Sequence, residues 1–198
     1  MRLLTIGLCV FISGTSVLLG TGGRYVGTPV TKWLEDNRRM ELLEKFGYID
    51  SAGREWDAPK GWIIDGASIP QGLWTIVGSP FTGAYRNASI IHDVACDRRD
   101  REWEAVHRMF YDAMLDGGVG ETRALFMYGA VYHFGPRWEA PRKRGFGGIG
   151  GVFGRRPQPP PPAPPIPATE EDFERLRKAI EEDRTATTLR QVEQLRVR

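Results

Sequence analysis

His92 and Asp93 stand side by side in a largely apolar segment, and Asp65 and Ser68 precede them in a turn rich in Gly and Pro. An imidazole can act as general base or metal ligand, a carboxylate as ligand, and a hydroxyl as nucleophile or orienting group. Adjacent side chains on a helix diverge by about 100°, so His92 and Asp93 cannot form a simple dyad with each other. They can divide the work, His92 activating water and Asp93 binding a metal. His107 lies on the following helical segment, on the side of Trp103, Phe110 and Met114, and approaches His92 if the two helices pack antiparallel. Asp65 offers a second carboxylate from the turn. The candidate site is therefore His92 and Ser68 as catalytic groups, with Asp65, Asp93 and His107 as metal ligands. Mixed nitrogen and oxygen donors suit zinc or a divalent transition metal, whereas an Asp-only subset suits calcium or magnesium.

Plainer roles compete for the same residues. A helical His in apolar surroundings also serves as a hydrogen-bonded core residue. Asp93 and Asp97, four apart, can be surface charges or partners of Arg98 or Arg86, and Asp65 and Ser68 can be turn and cap residues. There is no His-x-x-x-His pair. Ser68 is not in a G-x-S-x-G elbow, so a Ser68–His92–Asp triad rests on proximity alone. The glycines of 145–154 lack the Lys-Ser/Thr and helix start of a phosphate-binding loop. With only Cys9 and Cys96, a disulfide framework and a Cys-rich zinc site are excluded, and Cys96 reads as a small buried hydrophobe.

The elements that must position these residues follow from periodicity. Leu42, Leu43, Phe46, Tyr48 and Ile49 form an apolar stretch, and turn signals recur at Ser51-Ala52-Gly53 and Pro59-Lys60-Gly61. Such close spacing predicts a small antiparallel meander ending at Trp62-Ile63-Ile64, with a helix from Trp33 to Phe46 as the competing assignment. Pro70 suits the first position of a short helix reaching Val77. Three helices follow, over 85–97, 102–115 and 121–134, the second with Trp103, Val106, Phe110, Ala113 and Met114 at helical spacing. Gly117-Gly118 and Gly135-Pro136 close the last two. The fold class is α+β, mainly helical: a small antiparallel meander followed by a three-helix core.

Around this body, 40–144, the chain changes character. Leu3 to Gly20 is an apolar run which, as a helix, reaches about 27 Å against a hydrocarbon core of roughly 30 Å. Residues 1–22 therefore read as a membrane anchor or a signal peptide, and the chain as membrane-anchored or exported at the cell envelope. Arg24, Lys32, Arg38 and Arg39 behind the run outnumber Arg2 ahead of it, which opposes simple export unless the segment is cleaved. Residues 23–39 read as a linker, with a short helix around Trp33-Leu34. Residues 145–168 are a Gly- and Pro-rich spacer. From Thr169 a C-terminal helix to 198 carries Phe173, Leu176 and Ile180 on one face, a candidate dock for a protein partner. A formal net charge of +2 with both signs interspersed gives no reason to expect nucleic acid.

Read together, Gly61-Trp62-x-x-Asp65-Gly66-Ala67-Ser68-Ile69-Pro70, Leu73-Trp74, Ala88-x-x-x-His92-Asp93, Arg108-x-Phe110 and Tyr132-His133-Phe134-Gly135 resemble the domain of unknown function 1353. That family is common in bacterial phages and prophages, and the resemblance covers roughly 40–138. Its usual Ala-Asp-Arg-x-x-Phe segment reads Val106-His107-Arg108-Met109-Phe110 here, with His for Asp. More loosely, His92-Asp93 followed by Phe110-Tyr111-Asp112-Ala113-Met114 is similar to secreted phospholipase A2, where the helical His is the base and the Asp a calcium ligand. The resemblances imply either a phage-type structural, assembly or interaction module, or a metal-dependent hydrolase using His92 with Asp93 and Asp65.

Overall fold

The computed structural model describes residues 20–37, 39–65, 82–139, 167–182 and 188–196. The apolar run of 3–20 (save Gly20), Ser68, the short helix expected from Pro70 and most of the Gly- and Pro-rich spacer lie outside them. Six short strands come first: β1 (Arg24–Val26), β2 (Thr31–Trp33), β3 (Met40–Leu42), β4 (Phe46–Ile49), β5 (Glu55–Ala58) and β6 (Ile63–Ile64). Three helices follow, α1 (Arg86–Arg98), α2 (Trp103–Asp116) and α3 (Glu121–Phe134), and then α4 (Glu170–Glu182) and α5 (Leu189–Gln194). The α+β expectation holds.

The strands form two antiparallel sheets, ordered β1-β4-β5 and β2-β3-β6, so the sheet is not a sequential meander. Turn chemistry explains the β4–β5 hairpin. The Asp50 carboxylate accepts the Ala52 and Arg54 backbone N–H groups at 3.0 Å each, the Arg54 Nε–H at 2.7 Å and the Trp56 indole N–H at 3.0 Å. Gly53 takes the positive φ of 74° that the turn needs. Burial alone would push the Asp50 carboxyl up, but the hydrogen bonds from Trp56 and Arg54 outweigh it and hold it below the ordinary carboxylate range.

The linker expected over 23–39, with its helix at Trp33-Leu34, is instead two strands. Val26 pairs opposite Gly47 and Trp33 opposite Met40. The reason is non-local. Tyr25 stacks on Phe46 and donates its hydroxyl proton to the Ala113 carbonyl at the end of α2, 2.6 Å away. Next to it the Asp116 carboxylate accepts from the Thr21 hydroxyl at 2.8 Å, the Gly23 N–H at 3.1 Å and the Tyr48 hydroxyl at 2.5 Å. A Cβ on Gly23 would stand 2.2 Å from the Tyr48 oxygen, so only glycine fits there. Short strands with polar sequence gain their conformation from this anchor rather than from local preference.

The helices match their expected bounds within a residue or so. α1 ends where Arg99 turns left-handed and donates its N–H to the Ala95 carbonyl. α2 ends through the 117–118 glycine pair, with the Val119 N–H returning to the Met114 carbonyl. α1 packs between β5 and α2, and α2 against α3, giving one continuous core.

The tail closes on the same core. Phe173, Leu176 and Ile180 are buried, and the Phe173 ring meets Phe134 edge-on at 5.4 Å. Gly129 of α3 admits them: a Cβ there would come within 2.9 Å of Val192 and 3.0 Å of Leu176. The Tyr128 hydroxyl donates to Glu193 at 2.7 Å, and the His133 Nε2–H to the Val192 carbonyl at 2.8 Å. The apolar face read as a dock for another protein is thus covered by the chain's own α3. The tail is also two helices rather than one, each with a reciprocal cap, Thr169 with Asp172 and Thr188 with Gln191.

Candidate functional site

α1 carries two polar stripes, each an i, i+4 pair, offset by one residue. His92 and Cys96 face α2. Asp93 and Asp97 face the chain arriving from β6. Neighbouring helical positions sit about 100° apart, so the stripes cannot merge.

On the carboxylate side, Asp93 Oδ2 accepts the Asp65 backbone N–H at 3.0 Å, and Asp97 Oδ2 accepts the Trp62 indole N–H at 3.2 Å. Asp93 is buried while Asp97 is exposed. Partial desolvation pushes the Asp97 carboxyl up, and the neighbouring Asp65 charge adds to the rise against the opposing pull of the Trp62 hydrogen bond. These two carboxylates hold the segment Trp62–Asp65 against the helix. Asp93 is thus a buried backbone acceptor rather than a surface charge, whereas Asp97 is a surface charge that also holds Trp62. Arg98 reaches Asp100 at 2.9 Å and Arg86 reaches Thr31 at 3.1 Å.

On the other side three soft or neutral donors converge. His92 Nε2 lies 2.9 Å from His107 Nδ1 and 3.6 Å from Cys96 Sγ. Both imidazoles are completely buried. The far nitrogen of His107, Nε2, stands 3.2 Å from the Pro136 carbonyl. A carbonyl only accepts, so Nε2 carries the proton and Nδ1 presents a lone pair to His92. Rings enclose the cluster: Phe110 stacks on His92 at 4.5 Å, and Trp103 and Trp138 meet His107 at 5.4 and 6.2 Å. Burial is the main force on their protonation. It lowers His107 to about 3 and His92 well below its ordinary value, the latter assisted by His107. Both rings are neutral across the physiological range, the form in which imidazole accepts protons or binds metals.

Of the five sequence expectations, two meet here, two do not and one falls outside the described residues. His92 and His107 come together across α1 and α2. Asp93 and Asp65 meet each other instead, through a backbone N–H, and Ser68 lies outside the described residues. Among the described residues, the group of three or more His, Cys and carboxylate donors lying within 4.8 Å of one another is His92, Cys96 and His107. Asp65 and Asp93 are not members of that group. Cys96 occupies the place given to Asp93, because it is one full turn from His92 whereas Asp93 is a single residue away. The spacing His92-x-x-x-Cys96 is the signal that a search for His-x-x-x-His passes over.

Residues 40–131 match the family model described as "Protein of unknown function (DUF1353)". The curated relatives include two proteins of Sinorhizobium fredii (strain NBRC 101917 / NGR234). "Uncharacterized protein y4jT" is 38% identical over 142 residues, which are 66% of this chain and 42% of that protein. "Uncharacterized protein y4iH" is 48% identical over 97 residues, 49% of this chain and 41% of that protein. The chain thus spans about two-fifths of the length of these relatives. No solved structure matches. Among the described residues, no helix is long and apolar enough to cross a membrane.

Proposed function

From the support that the family match over 40–131 gives to a DUF1353 domain, we propose that this protein is a phage- or prophage-type structural or assembly module working at the bacterial cell envelope. The observation that carries this reading is the use to which its motif residues are put. Asp93 and Asp97 hold Trp62–Asp65 onto α1, while His92 and His107 are sealed in the core with no exposed surface. A buried carboxylate that grips the backbone, as Asp93 does, and imidazoles that lack access to solvent serve architecture first. The apolar run of 3–20 supplies the envelope attachment, as an anchor or a signal for export. A protein partner is met by the outer, polar face of the tail, since its apolar face is already covered.

The competing reading is a metal-dependent hydrolase in which His92 activates water beside Asp93, Asp65 and Ser68, as in the phospholipase-like arrangement. One comparison separates the two. His92→Ala should lower the unfolding free energy by about 2–4 kcal/mol and Asp93→Ala by about 1–3 kcal/mol, as broken buried networks do. Neither should abolish an esterase or phospholipase activity, because the module has none to lose. Unchanged melting together with loss of a hydrolytic activity measurable in the wild type would overturn the structural reading.

A further inference from the structure

We propose that His92, Cys96 and His107 bind one soft or borderline d10 transition-metal ion, with Zn2+ the expected occupant, inside the α1–α2 core. The donor separations suit such an ion. A tetrahedral zinc ion with bonds of about 2.05 Å to nitrogen and 2.3 Å to sulfur sets its donors roughly 3.3 Å (N···N) and 3.6 Å (N···S) apart. The nitrogens here are 2.9 Å apart and the sulfur is 3.6 Å from His92 Nε2. The nitrogen–nitrogen separation needs to open by a few tenths of an ångström, and the donor atoms of all three residues lie within 4.8 Å of one another.

The proton positions suit it as well. His107 Nε2 donates to Pro136, so its Nδ1 is a lone pair, and His92 Nε2 can supply at most one hydrogen toward it. The Cys96 sulfur lies within 3.6 Å of that same nitrogen. His107 Nδ1 and the Cys96 sulfur thus both lie within reach of His92 Nε2. A cation satisfies all three at once. Binding removes the thiol proton from Cys96 to solvent and leaves His92 as its Nδ1–H tautomer, so one proton is released per metal bound.

The surrounding shell supports the ligands. The Pro136 carbonyl fixes the His107 ring and its tautomer as outer-shell acceptors do in metal sites. Phe110, Trp103 and Trp138 enclose the group. One thiolate and two neutral imidazoles select thiophilic ions over calcium or magnesium. Among the described residues no further His, Cys or carboxylate joins the three, so zinc takes water or another donor as its fourth ligand, while Cu+ needs none.

The test uses the untagged full chain in detergent, with Cys9→Ser as the control for the other thiol. The protein as purified, and after incubation with ZnSO4, CoCl2 or Cu+ under reducing conditions followed by desalting, is analysed for metal content and melting temperature. Wild type and Cys9→Ser should retain one zinc or one Cu+ per chain, melt higher when loaded, and show a thiolate-to-cobalt charge-transfer band in the near ultraviolet. Cys96→Ser should lose that band, and His107→Gln should lose at least tenfold in metal affinity. Variants whose melting differs from metal-free wild type are compared only where folded. Absence of retained metal in folded wild type, or a cobalt spectrum and affinity unchanged by Cys96→Ser, would overturn the assignment.

Discussion

The two stripes of α1 show how one helical turn assigns opposite tasks to adjacent residues. Asp93 and Asp97 look toward the chain arriving from β6, where their carboxylates meet the Asp65 and Trp62 N–H groups. His92 and Cys96 look inward to α2, where only groups that are neutral when unpaired can be accommodated. Burying a lone charge costs far more than burying an imidazole that keeps its hydrogen bonds. The helix therefore separates oxygen donors from nitrogen and sulfur donors by rotation alone, and the sequence neighbours His92 and Asp93 do not share a site.

That contrast can be broken most sharply from the inner side. His107→Ala removes a fully buried ring, strands the His92 ring nitrogen and the Pro136 carbonyl, and opens a cavity. It should cost about 3–5 kcal/mol in urea unfolding. A loss below about 1 kcal/mol would show that the inner cluster contributes little.

Acid should act on the same side. An unfolded imidazole titrates near its ordinary 6.5, whereas folded His107 titrates at about 3 because burial disfavours its charged form. Between those values the unfolded chain binds the extra proton, so stability falls as pH drops through that window. By pH 4 His107 alone removes about 3 kcal/mol, and His92 shifts in the same direction. Urea melts from pH 7 to 4 should show this slope in metal-free wild type and a shallower one in His107→Gln.

The outer stripe should respond more gently. Asp93→Ala leaves the Asp65 N–H without its acceptor and should cost about 1–3 kcal/mol, with faster hydrogen exchange at the Asp65 amide. Trp62→Phe removes only the indole donor to exposed Asp97 and should cost less than about 1 kcal/mol. A larger effect from Trp62 than from Asp93 would invert the order expected from their burial.

How much of this was legible beforehand depends on how local each cause is. The ends of α2 and α3 could be read because their glycine stops act within a few residues, and that of α1 because its apolar spacing breaks off at Arg98-Arg99. The Asp50 turn was readable for the same reason. β1 and β2 were not, since polar Arg24–Val26 and Thr31–Trp33 become strands only through Asp116, Phe46 and β3, all distant in sequence. The approach of His107 to His92 followed from antiparallel packing of neighbouring helices. The role of Cys96 did not, because a lone buried cysteine reads as a small apolar residue until His107 is placed opposite it. The tail's apolar face was visible, but its occupant was not, since Gly129 announces no groove until α3 and α4 meet.

Independence of the two stripes is tested most directly by double-mutant cycles in urea unfolding of the metal-free full chain, pairing His107→Gln with Cys96→Ser and, separately, with Asp93→Asn. The account expects a coupling of about 1 kcal/mol or more for the first pair and additivity within about 0.5 kcal/mol for the second. Strong coupling between His107 and Asp93, with none between His107 and Cys96, would contradict it and return Asp93 to the site of His92.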